Sequence, residues 1–283
     1  MQILVKKSDG TLEPLDFNKI RTALRRAGAS YPLIEEVVDA LSRDIQANIE
    51  TKEIYKLAFD YLHELEPAVA ARFGLKNALI RMGPNGYPFE TFIAALLKGR
   101  NYSTQLRQII KGKCISHEID VIAKRQEGDK IKSNIIECKF HNSPHLKCSI
   151  QAALYTWARF LDIKEVDKDI DACWLVTNTK FSGDVIQYAD CVGLKLLGWS
   201  FPKNESLQIR IEEHNLYPIT MIKGLKQKEF LLLHNNGLIL LKDLVACQSK
   251  TLEKIGFRQQ RIEKLKEIAS LILKKQNNGA AEI

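Results

Sequence analysis

The chain has 283 residues, of which 45% are hydrophobic and 27% charged, so we expect a globular protein of two or more domains and exclude a disordered or fibrous one. Its formal net charge of +8 and pI near 9.1 make polyanions its natural partners. No segment has the length and apolar character of a membrane span or signal peptide, and no CxxC pair occurs, so the sequence predicts a cytoplasmic protein with reduced thiols.

The first eighty residues predict a β-hairpin followed by four helices. Ile3 to Lys7 and Leu12 to Leu15 are short apolar runs that flank an Asp-Gly pair, which tolerates the positive φ of a tight turn. The helical patterns cover residues 17–27, 33–46, 51–65 and 68–82, and Thr51 is predicted to be the N-cap of the third. Gly83-Pro84-Asn85-Gly86 is expected to end this module.

Four motifs of this module carry a family resemblance: Val5-Lys6-Lys7-Ser8-Asp9-Gly10, Lys19-Ile20, Thr51-Lys52-Glu53-Ile54 and Ala71-Arg72-Phe73. Residues 1–82 resemble the ATP-cone, the regulatory nucleotide-binding domain of ribonucleotide reductases and of their transcriptional repressor. The family's usual Lys-Arg-Asp-Gly reads Lys7-Ser8-Asp9-Gly10 here, which removes a fork-shaped phosphate donor. Without the resemblance, the basic residues near the hairpin would be interpreted as a solvated face.

The resemblance implies that ATP or dATP binds to this module as a regulatory ligand. Val5 would pack against the base, and Lys7 and Lys19 would supply positive charge to the triphosphate. The positions that would line the rest of the nucleotide site are Glu13, Asp16, Thr51 and Arg81.

The middle of the chain predicts a helix followed by a second hairpin. Apolar residues between Phe89 and Leu97 fall on one helical face, and Glu90 lies in the first turn, where an acid also complements the helix dipole. Residues 119–125 and 131–138 are β-branched runs, which predict two strands joined by the four-residue loop 127–130. Pairing Gln126 with Ile131 across this loop fixes the register of the hairpin.

That register brings acidic and basic side chains together. Asp120 is set opposite Glu137, and directly paired side chains have Cβ atoms roughly 4.5–5.5 Å apart, close enough to hold one cation. Lys139 projects from the same face as Glu137, two residues away. The alternative is a surface hairpin with a cross-strand charge cluster, although two facing carboxylates repel each other.

The spacing Asp-x16-Glu-x-Lys is that of the PD-(D/E)xK nucleases. With Phe89-Glu90, residues 112–120 and 137–142, and Gln151, it makes residues 86–162 resemble the Mrr-like restriction endonucleases and, more loosely, the archaeal Holliday-junction resolvases. The resemblance implies Mg²⁺ or Mn²⁺ held by Asp120, Glu137 and the Cys138 backbone carbonyl. Lys139 would act on the attacking water, and Glu90 would join the metal shell or its water network.

Three neighbouring groups have two interpretations each. Gln151 would brace the site or the DNA backbone together with Tyr155, or else Tyr155 is core and Gln151 caps a turn. His117, which we place on the face of Asp120, would contact metal or phosphate, or be structural. The set Cys138, His141, His145 and Cys148 has zinc-ligand spacing, but Cys138 is expected to point into the core as a free thiol.

The remaining segments complete an α/β fold. Residues 172–176 and 194–199 are predicted strands, and 184–191 a helix. Leu207 to Ile211 is predicted as a short strand, and 219–273 as helical pieces broken at 235–237 and Gly256. Residues 276–283 are expected to be disordered. Lys254-Ile255-Gly256-Phe257 indicates a helix-hairpin-helix-like phosphate contact, the alternative being a packed C-terminal helix with a solvated basic face.

The predicted domains are an ATP-cone at 1–85, a restriction-endonuclease-like α/β core at 86–204 and a mainly helical region at 205–283. The predicted function is a metal-dependent DNA endonuclease regulated by ATP or dATP. Its partners would be DNA, a nucleotide effector and further copies of the chain, with no membrane. The alternatives are a nucleotide-responsive DNA-binding regulator that does not cleave, and a junction resolvase or RNA nuclease with the same site.

Overall fold

The computed structural model describes residues 3–7, 10–45 and 48–274. Ser8 and Asp9 of the first turn and the predicted disordered tail lie outside these ranges. Two compact units are present: the described residues of Met1–Leu75, Met221–Gly224 and Leu252–Ile283 form the first, and Lys76–Thr220 with Leu225–Thr251 the second. Within the described ranges no helix combines the length and apolar character needed to cross a membrane. The division 1–85, 86–204 and 205–283 stays a prediction.

The first unit begins with the expected hairpin and helices. Its elements are β1 (Leu4–Lys6), β2 (Leu12–Pro14), α1 (Phe17–Arg26), α2 (Tyr31–Asp44), α3 (Thr51–Leu65) and α4 (Pro67–Phe73). The N-cap of α3 is Glu50 rather than Thr51, and the backbone N–H of Glu50 donates to Glu53 Oε2 over 3.4 Å. The predicted fourth helix is two helices, because Gly74, a poor helix former, separates α4 from α5 (Leu75–Ile80).

The second unit is built on a five-stranded sheet. Along the chain it contains α6 (Tyr87–Lys98), β3 (Ser103–Lys111), β4 (Ser116–Glu127), β5 (Lys130–Lys139), β6 (Lys147–Cys148), α7 (Ile150–Val166), β7 (Ile170–Thr177), β8 (Lys180–Phe181), α8 (Gly183–Val192) and β9 (Lys195–Leu197). The strand order is β3-β4-β5-β7-β9, antiparallel from β3 to β5 and parallel from β5 to β9. Strand β3 and the small β6–β8 sheet were not predicted.

Buried apolar residues fix the layers of this unit. Ile119 and Ile135 of the sheet share a core with Ile163 of α7 and Val185 of α8. Helix α6 contacts β3 and β4, and nearly all of its apolar side chains are fully buried. The fold is therefore mixed α/β, with a hairpin-and-helix N-terminal part and a helical C-terminal part, as predicted.

The C-terminal segments are helical throughout: α9 (Leu207–Glu213), a 3₁₀ turn (Ile219–Met221), α10 (Gln227–Asn235), α11 (Leu241–Ala246), α12 (Ser249–Lys254) and α13 (Gln259–Leu273). The predicted strand at Leu207 to Ile211 is wrong. Ser206 caps α9 by accepting the Ile209 N–H over 3.4 Å, and Gln208 donates to Glu212 one turn later over 2.6 Å. These local bonds favour a helix over an extended segment.

Candidate functional site

The β4–β5 hairpin has the predicted register and a shorter loop. Gln126 pairs with Ile131, and Glu127 with Lys130, so the loop has two residues rather than four. Gly128 lies in that loop with φ of +60°, a conformation that glycine adopts without steric cost. The turn therefore sets which residues of the two strands meet at the other end of the hairpin.

At that other end the strands carry the two acids. The ladder reaches Val121 and Ile136, and the next position along it brings Asp120 beside Glu137. The Cys138 backbone N–H donates to Asp120 Oδ2 over 2.7 Å. The Asp120 carboxylate is thus tied to the residue that follows Glu137.

Glu90 joins these acids from α6. It lies in the first turn of that helix and is buried. Burial raises its pKa, and the negative charge of Asp120 raises it further. Arg107 Nη1 donates to Glu90 Oε2 over 3.1 Å and opposes this shift. The structure therefore brings a third carboxylate into electrostatic contact with Asp120.

Glu137 has the most strongly perturbed carboxyl group of the three. Burial, followed by the negative charge of Asp120, raises its pKa to about 7, and Glu90 adds to the effect. Arg159 and Lys139 act in the opposite direction. The pKa of Asp120 is also raised, chiefly by burial. Glu90 is buried, Asp120 and Glu137 are half-buried, and the charge of Asp120 raises the pKa of both glutamates. Carboxyl groups perturbed in this way are candidates for a functional site.

Two arginines that were not predicted complete the site. Arg159 lies on α7 and its Nη1 donates to Glu137 Oε2 over 2.5 Å. Arg107 lies on β3 with φ of +50°, at the one interruption of the β3–β4 ladder, opposite Asp120. Gln151, Tyr155 and Arg159 are four residues apart along α7 and so share one face of the helix, which is a signal that could have revealed Arg159. No pattern in the sequence around Arg107 indicated that it belongs to the site.

The other two predicted catalytic residues, Lys139 and Gln151, are exposed. Lys139 is exposed at the end of β5, where its positive charge lowers the pKa of Glu137. Gln151 is exposed in the first turn of α7, and its role stays a prediction. The alternative in which Tyr155 is core is wrong, because Tyr155 is 60% exposed and the Arg159 guanidinium lies over its ring at 5.1 Å.

His117 does not belong to this carboxylate site. It lies three residues before Asp120, so the two do not share a face of the strand, and our placement was wrong. Its Nε2 is 2.8 Å from Asp162 Oδ2 on α7, and Asp162 also accepts the Cys114 backbone N–H over 2.8 Å. The bond with His117, followed by that with Cys114, lowers the pKa of Asp162. The structural interpretation of His117 is therefore the one that the contacts support.

The donor set fits a hard divalent cation. Carboxylates and a backbone carbonyl are the ligands preferred by Mg²⁺ and Mn²⁺. Within the described ranges no three His, Cys, Asp or Glu side chains stand at metal-binding spacing, and this holds equally for the three acids and for the set Cys138, His141, His145 and Cys148. The side chains of Glu90 and Glu137 are instead held by arginines, so binding a cation requires these ion pairs to loosen.

The predicted nucleotide residues of the hairpin mostly make contacts within the first unit. Lys7 pairs with Glu13, and Asp16 caps α1 by accepting the Asn18 N–H over 2.9 Å. Thr51 Oγ1 donates to the Lys6 carbonyl over 3.2 Å, which ties α3 to the hairpin.

Three further predicted residues differ in their surroundings. Lys19 is exposed on α1, whereas Val5 is buried in the apolar core of the first unit. Arg81 belongs to the second unit, where its guanidinium donates to the Thr220 carbonyl. A contact between any of these residues and a nucleotide stays a prediction.

Comparisons with known proteins identify both ends of the chain. Residues 3–75 match the ATP cone domain, and residues 217–273 match the model described as AF1548-like, C-terminal. A transcriptional repressor NrdR from Dictyoglomus thermophilum is 34% identical over 79 residues, which are 25% of this chain and 53% of the repressor. The N-terminal part is therefore an ATP-cone domain.

Two longer matches each cover more than half of the chain. An uncharacterized protein from Archaeoglobus fulgidus is 39% identical over 170 residues, 60% of this chain and 92% of that protein. The crystal structure titled protein of unknown function AF1548 superposes with a TM-score of 0.59 and 34% identity, over 67% of this chain and 98% of the other. This chain belongs to the AF1548-like family and carries an ATP-cone domain at its N-terminal end.

Proposed function

We propose that this protein is a nucleotide-regulated, divalent-metal-dependent endonuclease that hydrolyses phosphodiester bonds of DNA. The observation that carries the proposal is the meeting of Glu90, Asp120 and Glu137, with Lys139 at the end of the same strand as Glu137. Neither the fold nor the apolar core explains why Asp120 lies close enough to Glu90 and Glu137 to raise the pKa of both. A polyanionic substrate also agrees with the net charge of +8.

Each residue has a role in this proposal. Asp120, Glu137 and the Cys138 carbonyl would hold Mg²⁺ or Mn²⁺, which when bound polarises the scissile phosphate. Lys139 would orient the attacking water or take its proton. Glu90 would accept hydrogen bonds from metal-bound waters. In the metal-free protein Arg107 and Arg159 pair with Glu90 and Glu137, and a metal ion would compete with them for these carboxylates.

The ATP-cone domain would make this activity respond to nucleotides. ATP or dATP would bind near the hairpin, with Lys7 and Lys19 supplying charge to the phosphates. Since Lys7 is paired with Glu13, a triphosphate would compete with that carboxylate for the amine. Lys19 is exposed and accessible to a ligand without such competition.

A second candidate is a nucleotide-responsive DNA-binding regulator that does not cleave. The similarity to the repressor NrdR favours it, and the comparisons support it more directly than they support cleavage. The ion pair between Arg159 and Glu137 is compatible with it as well, because an arginine can neutralise a buried acid permanently.

Cleavage assays separate the two candidates. Plasmid, branched DNA and RNA are incubated with Mg²⁺, Mn²⁺ or EDTA, with and without ATP and dATP. Asp120→Ala and Lys139→Ala should each lower the rate by at least ~100-fold, as loss of a metal ligand or general base does. Asp129→Ala and Lys130→Ala, at the turn end of the same hairpin, are matched controls and should cut like the parent.

The outcomes are distinct. Cleavage of RNA or branched DNA in preference to plasmid would keep the chemistry and change the substrate to that of an RNA nuclease or resolvase. If the parent binds DNA equally with Mg²⁺ and EDTA and never nicks it, the regulator is correct. A Lys19→Gln variant, compared with Lys56→Gln elsewhere in the first unit, should bind ATP more weakly.

A further inference from the structure

A group of lysines on α5, β6 and β8 has no role in the proposed chemistry. Lys147 of β6 and Lys180 of β8 are direct partners in a parallel strand pair. Lys76 of α5 reaches the same region, where its Nζ donates to the Pro144 carbonyl over 3.4 Å, just before β6. We call Lys76, Lys147 and Lys180 the lysine cluster.

The positively charged amines of the lysine cluster repel one another. Directly paired like charges destabilise a strand pair, and neighbouring strands are only about 4.8 Å apart. Burial lowers the pKa of Lys76, and the charge of Lys180 lowers it further, which places these two amines in electrostatic contact. In residues 3–7, 10–45 and 48–274, no carboxylate forms an ion pair with any of the three lysines.

The short strand that carries Lys147 also comes close to Glu137 and Lys139. Cys148, the neighbour of Lys147, is close enough to Glu137 and Lys139 for both charges to affect its pKa. Asn178, shortly before Lys180, accepts the His141 N–H over 2.9 Å and donates to the His141 carbonyl over 2.8 Å. These bonds hold the loop after β5 against the loop before β8. The two short strands are thereby fixed at the Lys139 end of β5.

We propose that the lysine cluster binds the phosphate backbone of the nucleic acid and leads it into the Glu90, Asp120 and Glu137 site. The proposal rests on the proposed function, which supplies the phosphodiester at that site. Three compact amines without carboxylate partners suit phosphates, and such contacts position a duplex without reading its sequence. An acidic peptide also carries negative charge and is an alternative ligand, which the test below distinguishes from DNA.

The test measures DNA binding in EDTA, where cleavage does not interfere. A fluorescein-labelled duplex is titrated with parent, Lys147→Gln/Lys180→Gln and Lys76→Gln proteins between about 50 and 200 mM salt. The control is Lys124→Gln/Lys130→Gln, which also removes two exposed lysines. Lys130 lies at the opposite end of β5 from Lys139, nine residues and on the order of 30 Å away along the strand. Tryptophan fluorescence checks that each variant is folded.

Each lost phosphate contact should reduce the slope of log affinity against log salt by about 0.9. The cluster double variant should therefore lose roughly two units of slope and on the order of 10- to 50-fold in affinity near 100 mM salt, and Lys76→Gln about one unit. The control should match the parent. The proposal is overturned if the two double variants bind DNA equally or if the parent does not bind DNA. It is also overturned if an acidic peptide, rather than DNA, is the ligand that the cluster binds.

The two proposals fail separately. If the parent cuts DNA with Mg²⁺ but the cluster variant binds like the control, the endonuclease stands and the lysine cluster is not its backbone track. If the cluster variant loses affinity and salt dependence but no cleavage occurs with any metal, the cluster binds DNA in a regulator.

Discussion

Glu137 is predicted to make the metal-free protein less stable as the pH rises. Its pKa is about 7 in the folded protein, against an ordinary value of 4.5, because the folded state buries it beside Asp120. The folded protein therefore binds more protons than the unfolded one between these values, and the free energy of unfolding falls as the pH increases through them. Below about 4.5 and above about 7 both states carry the same number of protons, so the effect of Glu137 is constant there.

The size of the effect follows from the shift. A difference of about 2.5 pKa units corresponds to roughly 3 kcal/mol, at 1.36 kcal/mol per unit. The side chain of Glu137 is 21% exposed, so screening by solvent reduces this value only modestly. Asp120 and Glu90 are shifted in the same direction and add to the pH dependence of the parent.

The measurement compares the parent with Glu137→Gln in EDTA. All three tryptophans, Trp157, Trp174 and Trp199, lie in the same unit as Glu137, so denaturation followed by tryptophan fluorescence reports on that unit. The difference in unfolding free energy between variant and parent should shift by roughly 2.5 kcal/mol in favour of the variant from about pH 5 to pH 8, because a small part of the change occurs below pH 5. Glu127→Gln, an exposed acid of the same hairpin, is the control. A difference that does not change with pH would refute the burial of a charged carboxyl at this position.

Three further predictions concern buried ion pairs and hydrogen bonds. Arg159→Met should bind Mn²⁺ several-fold more tightly by titration calorimetry, because the guanidinium competes for Glu137 Oε2; unchanged or weaker binding would contradict that competition. Arg72 donates to the Ala27 carbonyl over 2.6 Å and to the Ile272 carbonyl over 3.0 Å. Arg72→Met should therefore destabilise the first unit by about 2–4 kcal/mol, measured by amide hydrogen exchange. Amide protection equal to that of the parent would exclude this role for Arg72. Asp162→Asn should lower the free energy of unfolding near neutral pH, and the difference from the parent should disappear as the pH falls through the depressed pKa of Asp162. A difference in unfolding free energy that persists in acid would show that the charge of Asp162 is not its cause.

Local signals in the sequence were sufficient for the elements that depend on neighbouring residues. The Gly128 turn and the β-branched runs on either side determined the register of β4 and β5, and the register determined that Asp120 and Glu137 meet. The apolar spacing around Glu90 determined α6 in the same way. These features depend on side-chain periodicity and turn geometry, which act within about ten residues.

Only the tertiary structure decided which groups neutralise these acids. Arg159 reaches Glu137 from a helix 22 residues away, and His117 is bound by Asp162 from 45 residues away rather than by the site. The composition of Leu207 to Ile211 predicts a strand, whereas the structure has a helix there, with Ser206 as its N-cap. The partner of a buried charge depends on which segments pack together, and no pattern within a single segment contains that information.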